Sequence, residues 1–309
     1  MNLEDEVLCG FLVTAQKKRV NAMYLEMIRE FDAFCERNHF TWWLIFGSLL
    51  GAARHKGFIP WDDDVDILMP RKDFDRLSRL SNEQLGVKPP YFMQTPHTDP
   101  LFQQRILRFR RSDTAYITKY DLGMIEKAGA PYDMGLALAV FPLDNVPKSA
   151  FFRNLQHRIA RAGVSYRTED EPQEAAETGG ASGARRVRDL FFRAVEHVIS
   201  EKTIVWGIQE MYRVFRRNRS GLVQSFDGFY PEPCVWSAKD FESTVRLPFE
   251  DITVPAPAGY DDLLRATYGD YMEFPPLESR TEKHSDFMSA DIPWQEALQL
   301  VNAGKISVR

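Results

Sequence analysis

One unbroken apolar run constrains the fold of this chain more than any other feature. GLALAVFPLD, at 135–144, is a continuous apolar stretch bounded by turn-forming residues. A strand that is buried on both faces has this pattern, whereas a strand with one solvated face alternates apolar and polar residues. The run therefore predicts an α/β or α+β fold built around one sheet.

The first 120 residues carry further signals of the same fold class. Apolar residues spaced by three and four predict an amphipathic helix from Val20 to Cys35. TWWLIF predicts a short strand, SLLGAARHKG a brief helix ending at Gly57, and Val65 to Met69 a second strand that stops at Pro70. A helix is predicted at 71–80, and strands at 91–95, 104–111 and 114–120.

The second half of the chain is predicted to contain helices and extended segments. Helices are predicted at 149–166 and 187–215. The segment between them, 168–184, is rich in Glu, Gly, Ala and Ser and nearly free of apolar residues, so it is predicted to be a disordered linker. LPFEDITVPAP predicts an extended stretch, and YDDLLRATYG a helix after it.

Composition and charge exclude several classes of protein. The 309 residues include 39 Lys and Arg against 44 Asp and Glu, a net charge of −5, which argues against a general nucleic-acid binder. Cys9, Cys35 and Cys234 have the spacing of neither a disulfide framework nor a zinc site. No run approaches the roughly 18 apolar residues of a membrane span, and MNLEDEVLCGFLV has acids before a short apolar stretch, where a secretory signal is expected to have bases before a longer one. A cytoplasmic protein is expected.

The densest chemical signal is WDDDVDI, where Asp64 and Asp66 bracket Val65 at the start of a strand. Period-two alternation places both carboxylates on one face, and two carboxylates held so close repel unless a cation lies between them. A hard divalent ion, Mg²⁺ first and Mn²⁺ as the alternative, would relieve that repulsion. For Asp62 and Asp63, a metal role and a solvated acidic turn stay equally open.

Gly47-Ser48 follows a strand and opens a helix, so backbone N–H groups there would be able to hold a phosphate. An ordinary helix N-cap is the alternative, because Ser is a preferred capping residue. Arg54, His55 and Lys56 follow on the same helix and would add positive charge near that site. Their alternative role is to complement the C-terminal end of the helix dipole.

Other polar residues carry weaker signals. Arg108 and Arg110 share a face of a predicted strand and would be placed to meet a diphosphate, with a solvated strand face as the competing interpretation. His284 is a candidate general base or a surface residue. The chain lacks GxSxG, HExxH and Walker motifs, which removes support for the matching hydrolase, zinc-protease and P-loop classes.

The stretch FGSLLGAARHKGFIPWDDDVDI closely resembles the signature of the LicD-type phosphorylcholine transferases. These transferases are a branch of the nucleotidyltransferase superfamily that also includes the fukutin-related ribitol-phosphate transferases. YFMQTP, RFRRSDTAYI, FPLDNVP and the segment from LPFEDITVPAP to YMEFPP are similar to that family in the same order. The resemblance spans most of the chain outside the linker.

The resemblance implies a nucleotidyltransferase-like mixed sheet flanked by helices. The catalytic core would cover 1–167, and a helical and extended part, 185–309, would complete the domain. It further implies transfer of a phosphorylated alcohol, most often phosphocholine from CDP-choline, to the hydroxyl of a glycan or lipid-linked glycan. Such an acceptor would place the enzyme at the inner face of the membrane, so peripheral membrane association is left open.

Mapped onto this chain, the resemblance assigns Asp64 and Asp66 to catalysis and metal binding, with Asp62 as a further ligand. Gly47, Ser48, Arg54, His55, Lys56 and Arg110 would contact the donor.

One position departs from the family pattern. Members typically carry an acidic residue two positions before the Phe of FPLD, where this chain has Ala139. Asp133 and Asp144 are the nearby acids that would be candidates to replace it. Two rival hypotheses follow: a catalytically impaired member that binds nucleotide or a partner, and a glycosyltransferase that uses a UDP-sugar through the same Asp-x-Asp chemistry.

Overall fold

The computed structural model describes residues 2–102, 104–165, 201–226, 234–282 and 287–308. The chain forms two compact units: Met1–Phe102, Ile106–Leu143 and Trp236–Arg309 make the first, and Gln103–Arg105 and Asp144–Val235 the second. The predicted linker, both predicted boundaries beside it and His284 lie outside the described residues. The partition at 167 and 185 therefore stays a prediction.

Strands and short helices alternate along most of the described chain, as the sequence predicts. The strands are β1 Glu6–Leu8, β2 Phe11–Val13, β3 Trp43–Leu44, β4 Val65–Pro70, β5 Tyr91–Gln94, β6 Leu107–Arg111, β7 Ala115–Ile117, β8 Leu136–Asn145, β9 Leu222–Gln224, β10 Val235–Ser237, β11 Thr244–Phe249, β12 Ile252–Pro257 and β13 Phe287–Ser289. The helices are α1 Ala15–Asn38, α2 Phe46–Leu50 with a π-helical turn Gly51–His55, α3 Arg71–Leu77, α4 Asn82–Leu85, α5 Lys119–Ala128, α6 Ala150–Ser165, α7 Glu201–Arg213, α8 Tyr260–Tyr268 and α9 Trp294–Asn302.

The first unit is built on a mixed sheet in the order β3-β4-β8-β6-β5. Only the β4–β8 pair is parallel, and the β3–β4, β6–β8 and β5–β6 pairs are antiparallel. The expected mixed sheet flanked by helices is thus confirmed. The apolar run at 135–144 becomes β8, which has β4 and β6 as its neighbours in this sheet.

Helix α1 covers one face of this sheet. Its N-cap is Thr14, whose hydroxyl accepts the Lys17 N–H at 3.2 Å, and it ends at His39 in the left-handed conformation that commonly closes helices. The rings of Phe31 and Phe34 lie 5.3 and 6.1 Å from that of Phe109 on β6. Truncating either ring to Ala would cost about 3–5 kcal/mol, because both are fully buried.

Three strand predictions were too long: the strand predicted at 104–111 is β6, Leu107–Arg111, and the other two end early for a local reason. TWWLIF yields only β3, because Phe46 turns the backbone with φ 52° and starts α2. The run at 114–120 yields β7 and then α5, because Thr118 and Asp121 form a reciprocal capping box in which each side chain accepts the other's N–H at 3.0 Å.

In the second unit, α6 and α7 pack against each other, and β9 pairs antiparallel with the last two residues of β8. Its core contains Val146, Tyr212 and Phe226, with the last two rings stacked at 4.8 Å. Among the helices that the structure describes in either unit, none has both the length and the apolar composition needed to cross a bilayer.

Candidate active site

The candidate site begins where β3 turns into α2. Phe46 has positive φ, which is rare for a bulky residue, and its ring is held against Phe141 with 5.5 Å between centroids. The Ser48 hydroxyl accepts the Asp66 N–H at 2.9 Å, so it fixes α2 to β4. A Cβ on Gly47 would collide with the Asp62 carboxylate, which explains why this position holds glycine.

Three consecutive aspartates approach one another just before β4. One carboxylate oxygen from each of Asp62, Asp63 and Asp64 lies within 4.8 Å of the other two. Asp63 is buried, and its carbonyl oxygen lies 3.5 Å from the hydroxyl of Tyr24. The structure therefore brings Asp63 into the cluster alongside Asp62 and Asp64, although the sequence left its role open.

Asp66 is the second residue of β4 and lies two positions after Asp64. Val65 and Ile67 on either side of it are completely buried, so the Asp66 carboxylate emerges on the opposite face, as the sequence predicted. Burial raises the pKa of Asp66 well above its usual range, and the charges of Asp64 and Asp62 raise it further. The carboxylate thus sits in a negative field within the site.

The sheet register aligns Asp66 with Ala139 on β8, and Ala139 with Arg108 on β6. Residues paired across neighbouring strands share one face of the sheet, so Arg108 lies on the face of Asp66. Its positive charge opposes the rise in the pKa of Asp66. Within the described parts of the chain, the buried Nε of Arg108 has no hydrogen-bond partner.

Two buried tyrosines line the same region, and no sequence signal distinguished them from ordinary core residues. Burial raises the pKa of Tyr24 and of Tyr116, and the charges of Asp63 and Asp64 add to both shifts. Both hydroxyls therefore stay protonated and remain hydrogen-bond donors at neutral pH.

Arg110 shares the face of Arg108 but is fully buried. Its Nε donates to Gln94 Oε1 and its Nη1 to the Gly135 carbonyl, both at 2.5 Å. Burial, reinforced by the charge of Arg108, lowers its pKa. The structure thus gives Arg110 a bracing role between β5 and the start of β8, and its predicted contact with donor phosphate stays a prediction.

The basic residues Arg54 and Lys56, after α2, both donate hydrogen bonds to backbone carbonyls of the protein. Arg54 Nη1 donates to the carbonyls of Tyr271 and Glu273 at 2.8 and 2.9 Å. The Lys56 ammonium donates to the Ala53 carbonyl at 2.9 Å, closing the helix that carries it. Donor contacts by these two residues stay predictions.

His55 lies between the rings of Trp61 and Phe274, at 5.8 and 5.3 Å. Burial lowers the pKa of His55 to about 4, and the charges of Arg54 and Arg280 add to the effect. Its imidazole is therefore neutral at physiological pH. Its predicted contact with the donor also stays a prediction.

The two acids considered as substitutes at Ala139 have other surroundings. Asp133 accepts the Ser112 hydroxyl and, at 2.9 Å, the Gly135 N–H, so it shapes the turn before β8. Asp144 lies five residues after Ala139 on β8. Side chains an odd number of residues apart on a strand point to opposite faces, so Asp144 faces away from the side of Ala139.

The donor set fits a hard divalent cation. Asp62, Asp63 and Asp64 offer three carboxylate oxygens, the ligand type that Mg²⁺ and Mn²⁺ prefer. Next to them, burial first and then the charges of Asp64 and Asp62 raise the pKa of Asp66. The predicted set was Asp62, Asp64 and Asp66, and the observed cluster includes Asp63 in place of Asp66. A metal role for Asp66 stays a prediction.

The fold and the site together define a nucleotidyltransferase-like domain: a mixed sheet with Gly-Ser after one strand and clustered aspartates leading into the next. The family model described as "LicD/FKTN/FKRP, nucleotidyltransferase domain" matches residues 39–122, which include every one of these elements except β8. Residues 39–122 of this chain are therefore similar to the LicD-type family.

Similarity to individual proteins extends further along the chain. The lipopolysaccharide cholinephosphotransferase LicD of Haemophilus influenzae is 25% identical over 262 residues, which are 84% of this chain and 92% of that protein. The human ribitol 5-phosphate transferase FKRP is 47% identical over 45 residues, 15% of this chain and 9% of that protein. Mannosyltransferase regulator 4 of Saccharomyces cerevisiae is 35% identical over 74 residues, 24% of this chain and 6% of that protein. The LicD and FKRP relatives support a transferase of phosphorylated alcohols.

Proposed function

We propose that the chain is a Mg²⁺-dependent phosphotransferase that moves a phosphorylated alcohol, phosphocholine first, from a CDP-alcohol to a glycan hydroxyl. The observation that carries the proposal is the cluster of Asp62, Asp63 and Asp64 next to Asp66, with Arg108 on the same sheet face. The similarity to a cholinephosphotransferase over most of both chains supports phosphocholine as the group.

The residues divide the work of binding a diphosphate donor. Asp62, Asp63 and Asp64 would hold the ion. A bound Mg²⁺ would neutralise part of the negative charge of the diphosphate. Arg108 offers an unpaired Nε–H on the face of Asp66, and a guanidinium is well suited to phosphate oxygens. Tyr24 and Tyr116 restrict access of water, because both are buried. Phosphoryl transfer depends mainly on positioning and electrostatics, so these residues are of the types that the reaction needs.

The acceptor proposed is a glycan, carried on a lipid at the cytosolic face of a membrane. Lipopolysaccharide in the name of the Haemophilus relative supports a glycan acceptor. A cytoplasmic location with peripheral membrane association accommodates such a substrate.

The test is release of CMP from CDP-choline, CDP-ribitol and CDP-glycerol in the presence of a lipid-linked glycan acceptor, with Mg²⁺, with Mn²⁺ and with EDTA. We expect release that requires metal and that falls by at least about a hundredfold in Asp64→Asn, because an interaction with a metal-bound diphosphate is lost. Asp270→Asn, which removes a charge at an exposed position, is the matched control. Failure of all three donors, or release that survives Asp64→Asn, contradicts the proposal.

Ala139 favours a second candidate, a catalytically impaired family member that binds nucleotide. The alanine leaves the row between Asp66 and Arg108 without the acid that family members usually carry. Calorimetry with CDP-choline and Mg²⁺ separates the two candidates. Binding without turnover, with turnover gained by Ala139→Asp, favours the second; turnover by the unmodified chain favours the first.

A further inference from the structure

The second unit exposes large apolar side chains on its paired helices. On α6, Phe151, Phe152 and Leu155 are 71%, 52% and 45% exposed, and on α7 Trp206 is 62% exposed. Single exposed apolar residues are ordinary, but neighbouring aromatic side chains at the start of one helix are not. The rings of Phe151 and Phe152 contact each other edge to face, 5.4 Å apart.

The packing of α6 explains which face is left open. Gln156 and His157 are buried, and the Gln156 amide donates to the Met211 carbonyl on α7 at 3.0 Å. Phe151 and Leu155 are four residues apart and therefore lie together on one side of the helix. That side is distinct from the one that holds Gln156 and His157, so Phe151 and Leu155 do not serve the contact between the helices, whereas Phe152, four residues before Gln156, lies closer to that contact.

Two stretches of sequence beside these apolar residues are rich in basic residues, although α7 itself also carries Glu201 and Glu210. From Asn145 to Ser165 the sequence contains no acid but has Lys148, Arg153, Arg158 and Arg161, and from Met211 to Phe226 it contains no acid but has Arg213, Arg216, Arg217 and Arg219. Arg213 is paired with Glu210 at 2.9 Å. The surrounding excess of positive charge stands out in a chain whose net charge is −5.

We propose that the exposed face of α6 and α7, with the basic residues around it, docks on an anionic phospholipid membrane. Helices with Phe, Trp and Leu on one side and Lys and Arg beside them lie in the interface of such membranes, where the rings enter the headgroup layer and the cations meet lipid phosphates. The inference goes beyond the proposed reaction and uses none of the residues of the candidate active site.

Two other occupants fit this face less well. A second copy of the chain would bring identical positive surfaces together in a symmetric dimer, which is unfavourable. The acidic segment at 168–184 matches the charge but has almost no apolar residues to cover the aromatic side chains. A membrane surface matches both the charge and the apolar character.

The experiment is flotation of the full chain with vesicles of phosphatidylcholine mixed with phosphatidylglycerol, against vesicles of phosphatidylcholine alone. We expect binding to the anionic vesicles that weakens in about 1 M salt, where the Debye length falls to about 3 Å. The combined variant Arg216→Glu, Arg217→Glu and Arg219→Glu should bind about tenfold less or weaker still. Phe151→Ser with Phe152→Ser should also lose at least about tenfold, because two rings no longer enter the interface.

Matched controls change other exposed positions by the same chemistry. Lys72→Glu, Arg79→Glu and Lys88→Glu reverse three exposed charges in the first unit, and Val7→Ser with Leu12→Ser removes two exposed apolar side chains there. Both controls should bind within about twofold of the unmodified chain. The proposal is overturned if the unmodified chain ignores anionic vesicles, if the control variants lose as much binding as the test variants, or if light scattering shows a dimer that Phe151→Ser dissolves while vesicle binding is absent.

Discussion

Asp66 on β4 and Ala139 on β8 are direct partners in a parallel pair of strands, and Arg108 on β6 is the next residue in the same row. Where relatives of the family would be expected to place a third acid, this chain therefore places a methyl group between a carboxylate and a guanidinium. Substitutions at Ala139 and Arg108 therefore change the charge next to Asp66 directly.

Ala139→Asp should make the site more dependent on metal. A new carboxylate beside Asp66 adds repulsion to a group whose pKa is already raised, so we expect a loss of about 1–3 kcal/mol in the free energy of unfolding without metal. With Mg²⁺ the variant should regain that stability and bind the ion more tightly than the unmodified chain. Thermal unfolding across a Mg²⁺ titration measures both effects.

Ala139→Asn is the matched control, because it has nearly the same shape without the charge. Its unfolding should respond to Mg²⁺ as the unmodified chain does. Identical metal responses for the Asp and Asn variants would show that position 139 does not face the metal site.

Arg108→Gln should lower kcat/KM for the CDP-alcohol. The Nε–H of Arg108 has no partner in the part of the chain that the structure describes, so we assign it to a phosphate oxygen of the donor. A charge-assisted hydrogen bond of this kind is worth about 1.5–3 kcal/mol, which corresponds to a loss of roughly tenfold to a hundredfold. Steady-state kinetics measures the loss, and Arg108→Lys should recover part of it because the charge is kept.

Arg79→Gln, at an exposed position on the first unit, should leave kcat/KM unchanged. If Arg108→Gln keeps full activity while it remains folded, the guanidinium serves only to offset the charge of Asp66.

Gly47→Ala should weaken Mg²⁺ binding without unfolding the chain. The new Cβ would force the Asp62 carboxylate to move, and displacing a group that shapes a metal site typically costs about tenfold or more in affinity. Calorimetric titration with Mg²⁺ reads out the change. Gly123→Ala is the control: it lies in α5 with nothing within 4 Å of the added atom, and it should raise stability by about 0.5–1 kcal/mol. Equal Mg²⁺ affinities in both variants would contradict the role of Gly47.

Local patterns predicted the parts of this site that depend on neighbouring residues in the chain. Alternation along β4 was enough to orient Asp66 away from Val65 and Ile67, and the strand, glycine and helix signals were enough to place Gly47-Ser48 beside it. The fold class followed from the apolar run that became β8, because a strand without a polar face needs a layer on each side.

Long-range contacts decided the rest. The position of Arg108 opposite Ala139 depends on the register between strands that are about thirty residues apart, which no local period encodes. Arg54 was expected near the donor, but its contacts are with carbonyls at 271 and 273, more than two hundred residues away. The linker and the first part of the helix predicted at 187–215 lie outside the described residues and stay predictions, whereas the described part of that helix is confirmed as α7, Glu201–Arg213.

His55 should make the stability of the chain fall at mildly acidic pH. Its pKa is about 4 in the folded chain against 6.5 for an ordinary histidine, so the unfolded chain binds the extra proton between those values and stability is lost as pH falls from 6.5 towards 4. Partial solvent exposure reduces the effect to about 1 kcal/mol. Urea unfolding from pH 7 to 4.5 should show this slope in the unmodified chain and in His97→Gln, an exposed control, and a flatter slope in His55→Phe, which keeps the ring contacts with Trp61 and Phe274. An unchanged slope in His55→Phe would assign the acid sensitivity to other groups.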